Sequence, residues 1–472
     1  MKNFLSPVKN AVITAACILV LASCKEDKLR NSADITAFTV DGVAWTISGT
    51  DITYAYPTET QEGLLTPVIA LSPGATVSPA SGTAQNFFTP QGVAYTVTAE
   101  DGVTTKTYTA KAIIVVASGA TGDCIWTITG VAPNYTLAIS GNGAIGDYYW
   151  ENPCPWEGYR TEIGTLIIHE GVTNIGNSTF FNYIGLTGIN VDASNAAYSS
   201  VDGVLFNKEQ TTLIIYPTGR AGSYVIPNSV TTIGEDAFAY CSGLTSVTIG
   251  NSVTTIGNSA FAYCSGLTSV TIGNSVTAIG ENAFGDCSEL ESVIIPNSVI
   301  TVSTWAFSNC SGLTSVTIGN SVTTVGEYAF SGCLNLTSIT IPNSVSTINN
   351  FAFFLCSSLT EINVDDTNAA YSSVDGVLFN KGRTTLIIYP GGKAGSYDIP
   401  NSVTTVGYSA FYDCNSLTSV TIPNSVTTVD NYAFDGCNGL NSVTNLSATP
   451  QNISSSVFWN VTLIGVTLKV PA

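Results

Sequence analysis

Leu244-Thr-Ser-Val247-Thr-Ile249-Gly-Asn-Ser-Val253-Thr-Thr-Ile256-Gly-Asn258-Ser-Ala260-Phe261-Ala-Tyr-Cys264 is the stretch that decides how this chain folds. Its apolar residues alternate with Thr or fall three apart, which reads as short strands rather than helix. The text then returns. Asn-Ser-Val recurs with its Val at 230, 253, 276, 299, 322 and 345, always 23 residues on. It comes back at Val403 and Val426, and the step from Val345 to Val403 is 58 residues, one 23-residue period plus 35. The step from Val172 to Val230 is also 58, and both long units carry the text Tyr-Ser-Ser-Val-Asp-Gly-Val-Leu-Phe-Asn, at 198–207 and 371–380. A fixed period of this length means a solenoid: one unit cannot bury its apolar face alone, and stacking supplies a continuous core.

Stacking places like on like. Phe238, Phe261, Phe284, Phe307, Phe330, Phe353, Phe411 and Phe434 form one column, with Phe180 opening it. A Cys column follows three residues later, from Cys241 to Cys437. Strand pairing between coils sets a rise of about 4.8 Å.

The rest of the 472-residue chain agrees with a β-rich reading. Charged residues are 10%, against roughly 25% in an average domain. The formal charge is −19, with 14 Lys+Arg and a single His, His169. A basic nucleic-acid surface is therefore excluded, since phosphate binding needs clustered Lys and Arg. Val, Ile, Thr, Ser and Gly dominate, which disfavours long helices.

Residues 34–116 read as a separate small sandwich. Val93-Ala-Tyr95-Thr-Val97-Thr and Thr105-Lys-Thr107-Tyr108-Thr109 alternate on either side of Asp101-Gly102, a hairpin signature. Turn signals every ten or so residues suggest an Ig-like arrangement of strands. Ala117-Ser-Gly-Ala-Thr-Gly122 reads as a linker.

At the N-terminus, Lys2 and Lys9 precede an apolar run from Ala11 to Ala22 that ends in Leu21-Ala22-Ser23-Cys24. This resembles a bacterial lipoprotein signal, which implies cleavage after Ser23 and acylation of Cys24. Lys25-Glu26-Asp27 is similar to short acidic signals that send some lipoproteins to the exterior of the outer membrane.

The repeat text, Leu-x-x-Val-x-Ile-(Gly/Pro)-Asn-Ser-Val-x-x-Ile-Gly-x-x-Ala-Phe-x-x-Cys, resembles the BspA-like class of leucine-rich repeats over roughly residues 123–471. The resemblance implies a surface protein, and several members of the class are adhesins. The expected fold is mainly β: an N-terminal Ig-like sandwich followed by a leucine-rich-repeat solenoid of 23-residue coils. The expected organisation is a signal peptide over 1–23, a tether over 24–33 and the sandwich over 34–116. A linker and N-terminal cap over 117–160 then precede the solenoid, with its C-terminal cap, over 161–472. Thr467-Leu-Lys-Val-Pro-Ala472 resembles the start of that cap, which normally runs further.

Function is read as recognition without catalysis: a lipid-anchored adhesin, monomeric, on the outer membrane and facing outward. No cofactor, metal or nucleic acid is called for. The partner is a protein or glycan ligand on host or neighbouring cells. A glycan-binding lipoprotein and a passive surface-layer component are the alternatives. Trp305 and Tyr328 break the repetitive Thr/Ser rows, and exposed aromatics bind better than repeated Thr. Trp150 and Trp156 lie in an aromatic-rich cap, where stacked rings suit sugar faces. Cys124 and Cys154 flank that cap as a candidate disulfide, which export permits. Catalytic candidates are thin. A Ser-His-Asp triad has only His169 to use, and Glu157 and Glu162 near Asp147 have no spacing that demands a glycosidase pair. The Cys column offers one thiol per coil, not a zinc set, and Asp192 and Asp365-Asp366 lack a calcium-loop pattern.

Overall fold

The computed structural model describes residues 31–472, apart from 58–62, 90, 147, 149–150, 177–178, 450, 463–466 and 471–472. Cys24 and Trp150 lie outside the described residues. No α-helix occurs among those described, and no helix is long and apolar enough to cross a membrane. The chain divides into two compact units, one to Gly119 with Thr127–Ala132, the other Ala120–Trp126 with Pro133–Ala472.

The first unit is an Ig-like sandwich. Ile35–Val40 pairs antiparallel with Val43–Ala44 and Pro67–Leu71 in one sheet. In the other sheet, Val93–Thr98 pairs antiparallel with the strand that opens at Thr105, Tyr95 opposite Tyr108. The hairpin turn is closed by Asp101, whose Oδ1 accepts from the backbone N–H groups of Val103 and Thr104 at 2.9 and 2.8 Å. Phe38, Trp45, Phe87 and Tyr95 fill the space between the sheets, with ring centroids 5.0–6.3 Å apart. The strand opening at Thr105 continues to Thr121. The stretch read as a linker is thus extended strand up to Thr121, because Ile113-Ile-Val-Val116 favours continued pairing geometry over a turn.

The second unit is a solenoid. Its parallel ladder begins at Tyr135–Gly141, which pairs with Ile163–Ile168 and through it with Gly188–Val191. Regular coils contribute two short strands each. Leu244–Thr248 and its repeats form one ladder, with Val247 opposite Val270, and Thr255–Ile256 and its repeats form a second, with Ile256 opposite Ile279. The register between coils is therefore 23 residues, as the repeat text requires. At the far end Thr467–Lys469 still pairs with Ser442–Asn445.

Each long unit is a regular coil with an antiparallel meander inserted. Tyr198–Val201 turns into Val204–Asn207, which pairs with Thr212–Ile215. Tyr371–Val374, Val377–Asn380 and Thr385–Ile388 repeat this. Asp202 and Gly203 both have positive φ, 48° and 75°, as a two-residue hairpin turn needs. The meander is held to the rod by a fully buried Asn. Asn195 Nδ2 donates to the carbonyls of His169 and Val172 at 2.7 and 3.0 Å, and its Oδ1 accepts from the N–H groups of Ala197 and Tyr198. Asn368 does the same in the second meander.

Inside the rod the Phe column stacks without a break from Phe238 to Phe353, with centroids 4.6 Å apart at Phe238–Phe261 and 5.8 Å at Phe330–Phe353, and a second stack runs from Tyr389 through Phe411 and Phe434 to Phe458. The Cys column is free and buried. Each of Cys264, Cys287, Cys310, Cys333 and Cys356 donates its thiol to the carbonyl of a Phe in the preceding coil, at 3.0–3.4 Å. Burial pushes the Cys241, Cys287, Cys333 and Cys414 thiols well above their ordinary range.

Candidate recognition face

Every regular coil rounds its second corner through x-x-x-Ala-Phe-x-x-Cys, opened by Gly except at Ser303, Asn349 and Asp430, and two residues there take left-handed backbone. The first position is held by Asp236, Ser259, Asn282, Trp305, Tyr328, Phe351, Ser409 and Tyr432, with φ between 51° and 59°. Asp and Asn tolerate that conformation, Ser259 and Ser409 adopt it with a small side chain, and for a bulky side chain it is an outlier. Yet three consecutive coils carry Trp305, Tyr328 and Phe351. These rings stack on one another, Trp305 to Tyr328 at 6.1 Å and Tyr328 to Phe351 at 5.2 Å.

Magnitudes decide what this ladder is for. Left-handed backbone costs a bulky residue roughly 1–2 kcal/mol. An aromatic pair returns about 0.5–1.5 kcal/mol. Three such residues share two stacked pairs, so stacking gives the ladder no net gain in stability, and Trp305 remains 46% exposed. A strained surface position filled by large rings with no net gain in stability is the kind of outlier that points to function.

The ladder runs into a cleft where the second long unit rejoins the rod. Phe351, Phe354, Tyr408 and Tyr412 wall a cavity of about 160 Å³. Phe354, Tyr408 and Tyr412 stand at 85°, 74° and 84° to Phe351, so the rings form a box rather than a stack. Ser409 Oγ is buried at this cleft without a hydrogen-bond partner. Asp413 lies on its rim and accepts from Asn415 Nδ2 at 2.9 Å. Burial raises the Asp435 carboxyl, and the neighbouring Asp413 adds to the rise. Burial likewise raises the Tyr412 hydroxyl, helped by Asp435 and Asp413.

The first long unit makes a sibling cleft of about 260 Å³, lined by Phe181, Tyr216, Glu235, Asp236 and Ala239. In the repeat alignment Glu235 stands where the other cleft has Tyr408, and Ala239 where it has Tyr412. Burial, with Glu235 beside it, pushes the Asp236 carboxyl up to about 6.

Several sequence-based expectations meet a different environment. Trp156 is fully buried, packed against Trp126, Tyr148 and Phe180, and offers no face to a sugar. Its indole fills the centre of the cap because a short terminal segment has little else with which to close the core. Cys124 and Cys154 are both free rather than bridged. Each thiol has its own partner: Cys124 Sγ donates to the Gly143 carbonyl at 3.5 Å, and Cys154 Sγ meets Tyr183 Oη at 2.7 Å. Burial raises Cys154 to about 11.

The acidic candidates serve local structure. Glu157 pairs with Arg160 at 2.9 Å and accepts from Tyr183 Oη at 3.3 Å. Asp192 and Asp365 accept from the residues two positions on, Ser194 and Thr367, as turn caps. Asp147 lies outside the described residues. His169 sits half-buried at a coil turn, its carbonyl held by Asn195. The Thr rows are partly spent on the rod itself: Thr254 Oγ1 donates to the Thr231 carbonyl and Thr268 Oγ1 to that of Thr245, at 3.2 and 3.0 Å. No group of His, Cys, Asp and Glu among the described residues is arranged to hold a metal.

The sequence matches a family model described as a BspA type leucine rich repeat region, in six copies, over residues 159–288, 216–311, 278–390 and 391–469. A second model, described as SGBP, N-terminal, matches residues 35–112. Among solved structures, the chain is similar to a leucine rich cell surface protein of Faecalibacterium prausnitzii A2-165. That protein is 23% identical over 75% of this chain and 95% of its own, with a TM-score of 0.38. A leucine-rich repeat protein of Bacteroides ovatus ATCC 8483 is 19% identical over 75% of this chain and 100% of its own, with a TM-score of 0.42. No curated protein matches the chain.

Proposed function

The chain belongs to the BspA-type leucine-rich-repeat family, and from that premise we propose that it is a non-enzymatic recognition protein of the cell surface. It is held to the outer membrane, facing outward, by lipid on Cys24, and it binds a protein ligand as a monomer through the ladder face of its solenoid. Solenoids of this kind commonly recognise partners through extended repetitive surfaces. The observation that carries the reading is the run of Trp305, Tyr328 and Phe351 at left-handed turns that Asp236, Ser259 and Asn282 fill elsewhere. Aromatic residues concentrated on one exposed strip are what binding hot spots are made of.

The test is a matrix-protein binding panel and a glycan array on the purified chain. Trp305→Ser and Tyr328→Asn are the variants, since Ser and Asn already occupy this turn in other coils. Loss of protein binding with an unchanged melting temperature supports the reading. Binding indifferent to both variants, or confined to glycans, overturns it, and silence in both assays transfers weight to a passive surface-layer component. Protease shaving of intact cells tests exposure: a chain untouched until lysis is not outward-facing.

A further inference from the structure

The solenoid is extreme in charge as well as in repetition. Between Ala221 and Asn380 the sequence holds no Lys, Arg or His, while Glu235, Asp236, Glu281, Asp286, Glu327 and others supply only negative charge. Between Ala394 and Leu468 basic residues are again absent. Glu327 directly precedes Tyr328 in the ladder. Asp413 stands on the rim of the cleft, and its charge adds to the rise of the buried Asp435 carboxyl. No Lys, Arg or His is among the residues that line the cleft.

Each feature of the cleft narrows what fits. Anions are repelled by Asp413 and by the surrounding coils, whose acidic residues outnumber the three bases of the second long unit, Lys381, Arg383 and Lys393. A purely apolar group leaves the Ser409 hydroxyl unpaired and the Asp413 carboxylate without a cation, which is costly on burial. A cation on a carbon stem satisfies all three elements. Ring faces attract it through their quadrupoles, the more strongly as water is excluded. Asp413 supplies opposite charge, and Ser409 Oγ accepts a hydrogen bond.

We propose that the box of Phe351, Phe354, Tyr408 and Tyr412 is a receptor for a cationic side chain, Lys or Arg, presented by a basic segment of the protein ligand. The Trp305–Tyr328 ladder and its acidic flank carry the rest of that segment. This rests on the protein-recognition reading above and names the chemistry of its partner.

The sibling cleft provides the controls. Tyr412→Ala and Tyr408→Glu install the residues that Ala239 and Glu235 already place at the same corner, so the corner retains a sequence the fold accepts. The probes are three peptides titrated into the full chain by calorimetry: one Arg-rich, one with each Arg replaced by uncharged citrulline, and one Glu-rich. The Arg-rich peptide is expected to bind. The citrulline peptide should lose at least about tenfold in affinity, and the Glu-rich peptide should not bind. Tyr412→Ala should cost about tenfold, Tyr412→Phe should restore binding because it keeps the ring, and Asp236→Asn in the sibling cleft should leave it unchanged.

Equal binding of Arg and citrulline peptides overturns the proposal. So does Arg-peptide binding that Tyr412→Ala leaves intact, which would be diffuse attraction to an acidic rod, or competition by a neutral oligosaccharide. If the Arg peptide fails while Trp305→Ser still abolishes capture of a protein ligand, recognition by the ladder stands and the cationic receptor does not.

Discussion

Phe284 and Phe307, one coil apart, lie with their ring planes parallel (0°) and their centroids 5.3 Å from each other. Both are fully buried. Removing one ring leaves its neighbours on either side facing a void that the stacked backbone cannot close. Phe307→Ala is expected to cost about 3–5 kcal/mol, measured by denaturant unfolding. Because coils contact chiefly their neighbours, hydrogen exchange should quicken first in the coils flanking Phe307.

The buried thiols are expected to be chemically silent. Cys287 donates to the Phe261 carbonyl at 3.2 Å, and burial holds its thiol protonated far above neutral pH. Since the thiolate is the reactive form, an aromatic disulfide reagent should label none of the Cys column in the native chain and all of it in denaturant. Rapid native labelling of any column Cys would contradict this packing.

Asn195 makes four hydrogen bonds from a fully buried position. Asn195→Ala strands two carbonyls and two N–H groups and should cost about 3 kcal/mol. Asn195→Asp should be worse, since a carboxylate turned toward the carbonyls of His169 and Val172 repels them. Asn368 should behave alike. Thermal melts of the single and double variants check whether the two meanders add independently.

Asp236 sets a pH dependence of known sign. Its carboxyl is raised from 3.8 to about 6 in the folded chain, by burial and then by Glu235. The native state thus holds the proton more tightly than the unfolded state. The stability it contributes is complete below about pH 4 and lost as pH rises through 6. Wild type should melt higher at pH 5 than at pH 7, and Asp236→Asn should shrink that difference while raising the melt at pH 7. A variant that keeps the whole difference would assign it to other carboxylates.

Trp305→Asn should change stability by less than about 1 kcal/mol, because relief of left-handed strain offsets the lost stacking. A loss of several kcal/mol in chemical unfolding would make the ladder a structural element and remove the observation on which recognition rests.

The rod was legible because its signal repeats: Val230, Val253 and Val276 fix a coil length, and the columns of Phe and Cys follow from it. Trp305 and Tyr328 stood out in the same text. Phe351, the next member of the ladder, lay one further 23-residue step along and was there to be found. Phe354, Tyr408 and Tyr412 were not, because the meander loops out between them and only the path of Thr385–Ile388 back to the rod shows that they meet. The meander itself had a local sign in Asp202-Gly203 and Asp375-Gly376, a hairpin turn between alternating residues. Trp156 was misplaced for a physical reason: aromatic richness looks the same whether rings close a core or face water, and only packing separates the two.

The left-handed corner has a consequence for how such a chain changes over generations. It lies outside the Phe and Cys columns, so the regular coils away from the two meanders share one interior and can exchange places without disturbing it. Recombination between near-identical repeats therefore rewrites the order of Asp, Ser, Asn, Trp, Tyr and Phe along the strip while the scaffold persists. The recognition proposed for the strip would then change by rearranging whole coils, with no need for a single substitution in the packed interior.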